Sequence, residues 1–311
     1  SETPLGAGAI GAVAGLIGDD LAARRSVLVE EGVSVRVDGV SVAPEDVAAA
    51  YPGATGSIVV LAHGLMGTEH TFAFGEGPHY DEVLGTHGFT PLFVRYNTGR
   101  RISVNGLALA SLIGELVERW PVPVERIVLI GHSMGGLVLR SALHHAEQAD
   151  ASWVSGVAAT VSLGTPHLGA PLESLAHYGS AGLVRFPETA AFGALLRRRS
   201  VGIRDLRGGS LVDEDWTGRD PDALGAAIAA EVPLLAGVEH YFVSATVTRS
   251  PRHPVGRLIG DGLVLTSSAG GRHRTRRIGF AADHGLNLGR AHHMTLLSHP
   301  VVAAHLVEWL G

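Results

Sequence analysis

The hydrophobic positions of the chain first alternate with polar ones and then gather into short, unbroken runs. Between residues 33 and 42, apolar and polar residues alternate around Asp38-Gly39, a dipeptide typical of tight hairpin turns, which predicts two antiparallel strands. Five later runs are apolar throughout and rich in β-branched residues, as strands buried on both faces of a sheet are. These runs cover residues 57–62, 90–96, 126–130, 157–163 and 241–247.

Apolar residues at helical spacing separate several of these runs. The spacing predicts helices over residues 105–119, 134–148 and 221–230. A closing helix is expected over residues 300–309, since a proline stands at its first position. We place the last strand at residues 274–280. The alternation predicts an α/β fold, with a mostly parallel central sheet and helices on both faces.

The chain divides into an N-terminal segment with the antiparallel strands (residues 1–56) and a core (residues 57–311). Residues 167–233 contain no convincing strand and mix Arg, Gly and short apolar helical fragments, which favours a lid or cap inserted over a site. A helical excursion away from the site remains the alternative. Within this insertion we expect a substrate-binding role for Leu172, Leu175, Leu183 and Phe186.

The N-terminal stretch 5–18 is apolar and contains five glycines, but its 14 residues fall short of the roughly 20 that a spanning helix needs. We therefore expect no stable membrane anchor. The stretch also lacks a leading cluster of Arg or Lys, so it matches a secretory signal poorly. A packed or frayed terminal segment is the favoured interpretation.

Composition removes several kinds of chemistry. With 46% hydrophobic and 17% charged residues the chain is predicted to be globular and soluble, and its net charge of −6 argues against nucleic acid as a partner. All 24 basic residues are Arg, which excludes Schiff-base lysines and Ser-Lys dyads, and the absence of Cys excludes thiol catalysis and thiolate metal sites. Any basic catalyst must therefore be a histidine. Nothing in the sequence indicates an oligomeric state.

The strongest chemical signal is the pentapeptide Gly-His-Ser-Met-Gly at residues 131–135, directly after a buried strand and directly before a helix. This is the nucleophile-elbow pattern in its required context, with Ser133 as the nucleophile. Residues 63–67 follow another strand, at the place of the first oxyanion donor, so we expect the N–H groups of Leu65 and Met134 to hold an oxyanion. Met66 is the weaker alternative, and a simple turn at His63-Gly64 stays open.

The acid and the base should follow the serine along the chain. Asp261, between two glycines, is the favoured acid, although a purely structural Asp-Gly turn is the alternative. The clustered acidic residues 213–215 are weaker candidates and are expected to be solvated. The base should lie beyond Asp261 and the last strand, and the pair His292-His293 has the most suitable loop. The full set of candidates is His284, His292, His293, His299 and His305.

Five stretches together resemble bacterial lipases and esterases of the α/β-hydrolase superfamily, including its PGAP1-like branch. The resemblance covers roughly residues 55–310 and implies that Ser133, Asp261 and His293 form a catalytic triad. The chain departs from the family pattern at His292, which makes the register of the base ambiguous, and before Ser57, where little is similar. The five stretches are residues 62–67, 131–136, 163–169, 260–264 and 293–300.

The expected function is that of a serine carboxylic-ester hydrolase, an esterase or lipase that works through an acyl-enzyme intermediate on small-molecule or lipid esters. No cofactor is required, and no metal site is assigned, because no histidine pair shows ligand spacing with a carboxylate. An acyltransferase or thioesterase on the same triad is one alternative. A non-catalytic binding protein on the same fold is another.

Overall fold

A computed structural model describes residues 3–24, 32–170, 200–217, 230–273 and 276–311. Its strands form one eight-stranded sheet. They are β1 (Val33–Val37), β2 (Val40–Val42), β3 (Ser57–Ala62), β4 (Phe89–Tyr96), β5 (Arg126–His132), β6 (Val157–Leu163), β7 (Glu239–Thr246) and β8 (Gly285–Gly289). The spatial order is β2-β1-β4-β3-β5-β6-β7-β8. The five apolar runs are therefore confirmed as strands, to within two residues at their ends.

The leading hairpin is also confirmed. β1 pairs antiparallel with both β2 and β4, whereas β4, β3 and β5 to β8 run parallel to their neighbours. Asp38 and Gly39 have φ angles of 50° and 79°, as the two central positions of a twisted two-residue hairpin require. The mostly parallel sheet of the predicted α/β class is thus present.

The predicted last strand at residues 274–280 is wrong. Among the described residues, 276–280 form only an isolated bridge between Arg277 and Arg272, and the last strand is β8, parallel to β7. The aromatic ring of Phe280 packs on Phe242, with ring centroids 5.0 Å apart. β8 is an edge strand with glycine at both ends, so its sequence carries little of the apolar signal of a central strand.

Helices cover both faces of the sheet. They are α1 (Pro4–Ala23), α2 (Val47–Ala50), α3 (Tyr80–Gly85), α4 (Ile102–Arg119), α5 (Met134–Gln148), α6 (Val201–Gly208), α7 (Pro254–Ile259), α8 (Thr266–Ala269) and α9 (Pro300–Leu310). Along β3, Ile58 and Val60 belong to the core that α4 and α5 complete, while Val59 and Leu61 belong to the core with α3 and α9. Both faces of the strand are therefore buried, which explains its unbroken apolar run.

The insertion is only partly described. Its described parts, residues 167–170, 200–217 and 230–233, contain α6 and a short 3₁₀ turn at Asp213–Asp215, and no strand lies in them. Most of the predicted helix 221–230 lies outside the described residues, and so do the four expected substrate-binding side chains. Whether the insertion covers the site stays a prediction.

The N-terminal stretch forms α1, which is longer than the apolar stretch alone because the helix continues through Asp19 and Asp20. Thr3 caps it by accepting the N–H of Gly6 at 3.3 Å, and Pro4 fills its first position. By length and composition α1 is able to cross a membrane, a test that core helices and signal sequences also pass, and 28% of its apolar window is buried. Its Ala7, Gly11, Ala14, Gly15 and Gly18 are buried, so this face of the helix packs on the chain, and the absence of a membrane anchor stays a prediction.

Candidate active site

Loops that follow five parallel strands meet at one edge of the sheet, because parallel strands all end there. The loop at residues 63–67, called here the oxyanion loop, follows β3. Ser133 follows β5, Gly164 follows β6, Asp261 lies beyond β7 and His293 lies beyond β8. The fold thus brings together all the catalytic candidates that the sequence favours.

Ser133 occupies the tight turn between β5 and α5. Its φ of 54° and ψ of −122° are unusual for a residue with a side chain, and such backbone strain costs about 1–3 kcal/mol. A Cβ on Gly131 would lie 2.5 Å from Gly136 Cα, and a Cβ on Gly135 would lie 2.6 Å from the His63 carbonyl oxygen. Both distances are too short for real contacts, so the turn requires glycine on each side of the serine, as the sequence predicts.

The hydrogen-bond ladder of the sheet continues into the site. The N–H of Ser133 donates to the carbonyl of Leu163 at 2.8 Å, and the N–H of Gly164 donates to the carbonyl of Val243 at 2.9 Å. These bonds join the ends of β5, β6 and β7 in series. The backbone of the serine is therefore held by the sheet and by α5.

Asp261 and His293 form a buried pair, with 2% and 4% of their surfaces exposed. Asp261 Oδ2 accepts a hydrogen bond from His293 Nδ1 at 2.8 Å. Asp261 Oδ1 accepts the N–H groups of Leu263 and Val264 at 2.9 and 2.8 Å. The backbone carbonyl of Asp261 accepts the backbone N–H of His293 at 3.1 Å. Because the carboxylate accepts from Nδ1, the proton of the neutral imidazole lies on Nδ1, and Nε2 is left with its lone pair.

Gly164 lies directly against this pair. It has a φ of 59°, and a Cβ at this position would lie 3.1 Å from His293 Nδ1 and 3.2 Å from Asp261 Oδ2. Only glycine combines this left-handed conformation with so little space. The loop after β6 thus confines the Asp-His contact from one side.

The side chain of His132, the residue before Ser133, contacts both the ring and the backbone of His293. The two rings lie 4.6 Å apart between centroids, and His132 Nε2 is 3.3 Å from the carbonyl oxygen of His293. Burial, together with the neighbouring His293, lowers the pKa of His132 well below its ordinary value. A neutral His132 that donates from Nε2 fits this environment.

The oxyanion loop passes immediately over Ser133. A Cβ on Gly64 would lie 2.9 Å from Ser133 Cβ, so a glycine is needed here. The N–H of Met66 donates to Thr98 Oγ1 at 3.2 Å, and the N–H of Gly67 donates to the Gly64 carbonyl at 2.9 Å. The N–H of Leu65, by contrast with those of Met66 and Gly67, has no hydrogen-bond partner within the described chain.

The N–H of Met134 also faces no helical acceptor. Met134 is the first residue of α5, and the first N–H groups of a helix lack intrahelical partners and attract negative charge. The geometry therefore favours Leu65 over Met66 as the companion of Met134. Across the described part of the chain, Ser133 Oγ and His293 form no hydrogen bond, a contact that often tightens only when substrate binds.

His63 anchors the oxyanion loop from beneath. Its Nδ1 is 2.9 Å from the carbonyl oxygen of Gly64, its Nε2 accepts the N–H of Tyr96 at 3.4 Å, and its ring stacks on Tyr96 at 4.3 Å. Burial lowers the pKa of His63 to about 4. A neutral histidine with the proton on Nδ1 satisfies both contacts, so His63-Gly64 is a specific anchor and more than a simple turn.

The other histidine candidates lie elsewhere. The backbone N–H of the half-buried His292 bonds to Thr295 Oγ1 at 3.0 Å, whereas the imidazole next to Asp261 Oδ2 is that of His293. His284 lies before the last strand and pairs with Glu239 at 3.2 Å, and His299 caps α9 by accepting the N–H of Val301. His305 Nδ1 is 2.8 Å from the Val301 carbonyl within α9.

The expectation that residues 213–215 are solvated is only partly correct. Asp213 and Glu214 are exposed, but Asp215 is 4% exposed. Its Oδ2 accepts the N–H groups of Leu211 and Val212 at 2.7 and 3.2 Å. Asp215 thus closes its own turn, a role common for Asp, and its Oδ1 also accepts the N–H of Ala230.

Three supporting residues carry no sequence signal of their own. Tyr96 and Thr98 hold the oxyanion loop as described above. Tyr80, from α3, donates through its hydroxyl to the carbonyl of Leu296 at 2.7 Å and accepts the N–H of His299 at 3.0 Å. Tyr80 thereby fastens the turn that begins at His293. Of the three residues, Tyr96 alone lies in a predicted element, as the last residue of the strand at residues 90–96.

Comparison with solved structures identifies the fold. The mature form of the lipase BlEst2 from Bacillus licheniformis superposes with a TM-score of 0.51, at 18% identity, over 82% of this chain and 91% of that one. Its propeptide form gives a TM-score of 0.53 at 19% identity, over 82% of this chain and 50% of that one. The fold is that of the α/β-hydrolases. No curated protein sequence matches the chain.

The family model described as "Putative serine esterase (DUF676)" matches residues 55–210, half of the 311 residues. The chain therefore belongs to this serine esterase family. The matched segment includes the oxyanion loop and the nucleophile elbow, and it ends before Asp261 and His293.

Proposed function

We propose that this protein is a carboxylic-ester hydrolase in which Ser133, His293 and Asp261 form the catalytic triad. The observation that carries the proposal is the buried 2.8 Å contact between Asp261 Oδ2 and His293 Nδ1, at the sheet edge where Ser133 occupies its strained turn. Membership of the serine esterase family supports the same chemistry. In this proposal Ser133 is the nucleophile, His293 is the base, and Asp261 is the acid that orients the base.

In the acylation step, His293 Nε2 takes the hydroxyl proton of Ser133 while Oγ attacks the ester carbonyl carbon. The N–H groups of Leu65 and Met134 hold the oxyanion that develops on the carbonyl oxygen. The tetrahedral intermediate then collapses: the bond to the alkoxy oxygen breaks, and His293 gives that oxygen its proton. An alcohol leaves, and the acyl group stays on Ser133.

Deacylation repeats these steps with water as the nucleophile. His293 removes a proton from water, the hydroxide attacks the acyl carbon, and Ser133 Oγ leaves with the proton that His293 returns. Asp261 keeps the imidazole in the tautomer with Nε2 free and stabilises the imidazolium that forms in each step. No cofactor is needed for either step.

The substrate class we propose is a small-molecule or lipid ester. The insertion at residues 167–233 is proposed to act as the cap that forms most of the acyl pocket, with Leu172, Leu175, Leu183 and Phe186 in it. The supporting observation is that the insertion begins three residues after Gly164, which lies against Asp261 and His293, and that its first residue, His167, is fully buried. A lipase of the same fold makes longer acyl esters a sensible part of the substrate panel.

The decisive experiment combines a fluorophosphonate probe with the hydrolysis of p-nitrophenyl esters. The probe should label the wild-type chain at Ser133 and leave Ser133→Ala unlabelled, and only the wild type should release p-nitrophenol. Addition of a competing alcohol, or a thioester substrate, separates hydrolysis from acyl transfer and thioester cleavage. A wild-type chain that is neither labelled nor active would favour a non-catalytic binding protein.

A further inference from the structure

A face of glycines on α1 lies against the oxyanion loop. A Cβ on Gly11 would lie 2.5 Å from the carbonyl oxygen of Met66, and a Cβ on Gly15 would overlap Met66 Cγ. Gly18, on the same face, leaves space for the side chain of Asn97, whose Nδ2 donates to the Gly18 carbonyl at 2.9 Å. Glycine is unfavourable inside a helix. We therefore attribute these three glycines to the close approach of Met66 and Asn97 to the helix.

The contacts of α1 fix one residue, Met66, from two sides. Its carbonyl faces Gly11 and its side chain faces Gly15, while its N–H donates to Thr98 Oγ1 at 3.2 Å. Met66 has a φ of 60°, a conformation that residues with a side chain adopt only when their surroundings impose it. Met66 shares a peptide with Leu65, so a shift of Met66 acts through the backbone of Leu65 on the preceding Gly64–Leu65 peptide, which carries the free N–H.

Other bonds fasten α1 in this position. Ser200 Oγ donates to the carbonyl of Gly15 at 2.9 Å, and the N–H of Val201 donates to Asp19 Oδ2 at 2.9 Å. Ser200 and Val201 stand at the start of α6, within the insertion. The helix is therefore held between the oxyanion loop and the start of α6.

We propose that α1 is a positioning helix for the oxyanion hole, in which Gly11 and Gly15 hold Met66 so that the Leu65 N–H points at the carbonyl attacked by Ser133. The inference rests on the proposed function and adds to it a component outside the segment matched by the family model. α1 does not touch substrate; it acts through the loop.

The test compares single alanine variants of glycines on the same helix. Gly11→Ala and Gly15→Ala each place a methyl group too close to Met66. Gly8→Ala is the matched control, because Gly8 is exposed and nothing lies within 4 Å of its added Cβ. Two quantities are measured: kcat/KM on a p-nitrophenyl ester, and the Ki of a trifluoromethyl ketone, whose adduct with Ser133 places an oxyanion in the hole. Both Met66-facing variants should lose about 10-fold or more in kcat/KM, with a parallel rise in Ki, and Gly8→Ala should match the wild type.

A second substitution separates positioning from general damage. Met66→Ala removes Cγ, the atom that Gly15→Ala would overlap, but leaves the carbonyl that Gly11→Ala would press on. In the Met66→Ala background, Gly15→Ala should therefore cost little, while Gly11→Ala should still cost its full factor. Such selective rescue is a coupling that a loss of overall stability would not produce.

Several results would overturn the inference. One is a Gly15→Ala protein as active as Gly8→Ala; another is a loss of kcat/KM without any change in the Ki of the ketone. A Gly15→Ala chain that lacks a cooperative melt would also count against it, since α1 would then serve the fold as a whole. A wild type that hydrolyses no ester overturns the proposed function and this inference together, whereas an active wild type with unaffected variants overturns the inference alone.

Discussion

The imidazole of His132 lies 4.6 Å from that of His293 between ring centroids, and its Nε2 is 3.3 Å from the His293 carbonyl oxygen. The residue next to the nucleophile therefore holds the backbone of the proposed base. Burial and the proximity of His293 keep the pKa of His132 well below its ordinary value, so His132 contributes no charge to the site.

We predict that His132→Ala lowers kcat about 10-fold, with a smaller change in KM, because the base loses its backbone donor and its neighbouring ring. Positioning errors near a reacting group have effects of this order or larger. His132→Phe keeps a ring but removes the donor, so it should fall between the wild type and His132→Ala. Steady-state kinetics on an aryl ester decide this, and an unchanged kcat in both variants would show that the contact is incidental.

Gly164→Ala should damage the site through contact with the Asp-His pair. The added Cβ would lie 3.1 Å from His293 Nδ1, in addition to the strain of alanine at positive φ, which costs on the order of 1 kcal/mol. Gly237→Ala is the matched control, because Gly237 has a φ of 79° and nothing within 4 Å of an added Cβ. Both should melt at a lower temperature, but only Gly164→Ala should lose about 10-fold or more in kcat/KM.

The choice between neighbouring histidines is tested by single and double variants. His293→Ala should reduce kcat by about 10⁴-fold or more, as Ser133→Ala should, and the double variant should be no worse, because residues that act as one unit are strongly non-additive. His292→Ala should keep much of the activity. A reversed pattern would move the base to His292.

Ser133→Ala should melt like the wild type, since the Ser133 side chain makes no hydrogen bond among the described residues.

The buried His63 predicts how stability depends on pH. Its pKa is about 4 in the folded chain, against 6.5 when solvated. Between these values the unfolded chain binds a proton that the folded chain refuses, so the free energy of unfolding decreases as the pH falls from 6.5 to 4. At about 1.4 kcal/mol per pKa unit, His63 contributes roughly 3 kcal/mol of this loss.

Urea unfolding at neutral pH and near pH 4 measures this effect. His63→Asn stays neutral at both pH values, so its unfolding free energy should depend less steeply on pH than that of the wild type. Equal pH dependence in the two proteins would mean that His63 is protonated normally in the folded state.

Substitutions in the insertion test the proposed cap. Alanine at Leu172, Leu175, Leu183 or Phe186 should change the ratio of kcat/KM between short and long acyl esters, because pocket shape sets acyl specificity. Variants that lose activity equally on all chain lengths, or on none, would place these side chains outside the acyl pocket.

The sequence was most informative where one local pattern decides the structure. The unbroken apolar run from Ile58 to Leu61 predicts a strand buried on both faces because a doubly covered strand has no polar positions, and the elbow around Ser133 follows from glycines that the turn requires. The edge strand β8 escaped detection, because its glycines and its exposed Asn287 give it no apolar run.

Within the site, the sequence indicated the side chains that carry chemistry and missed those that hold them. Ser133, Asp261 and the His292-His293 pair stand in recognisable motifs, but motif spacing does not say which of the two rings faces Asp261. Tyr80 and Thr98 support the site through bonds to residues more than 30 positions away along the chain. Such contacts depend on tertiary packing, which no local pattern encodes.

The backbone bonds from Ser133 to Leu163 and from Gly164 to Val243 have a consequence for dynamics. Both amides are donors in a continuation of the central ladder, so their protons exchange with deuterated water only when the ends of β5, β6 and β7 separate. We therefore expect the amides of Ser133 and Gly164 to be among the slowest to exchange in the described chain. Motion that admits substrate is then expected in the surrounding loops and not in the turn that carries Ser133.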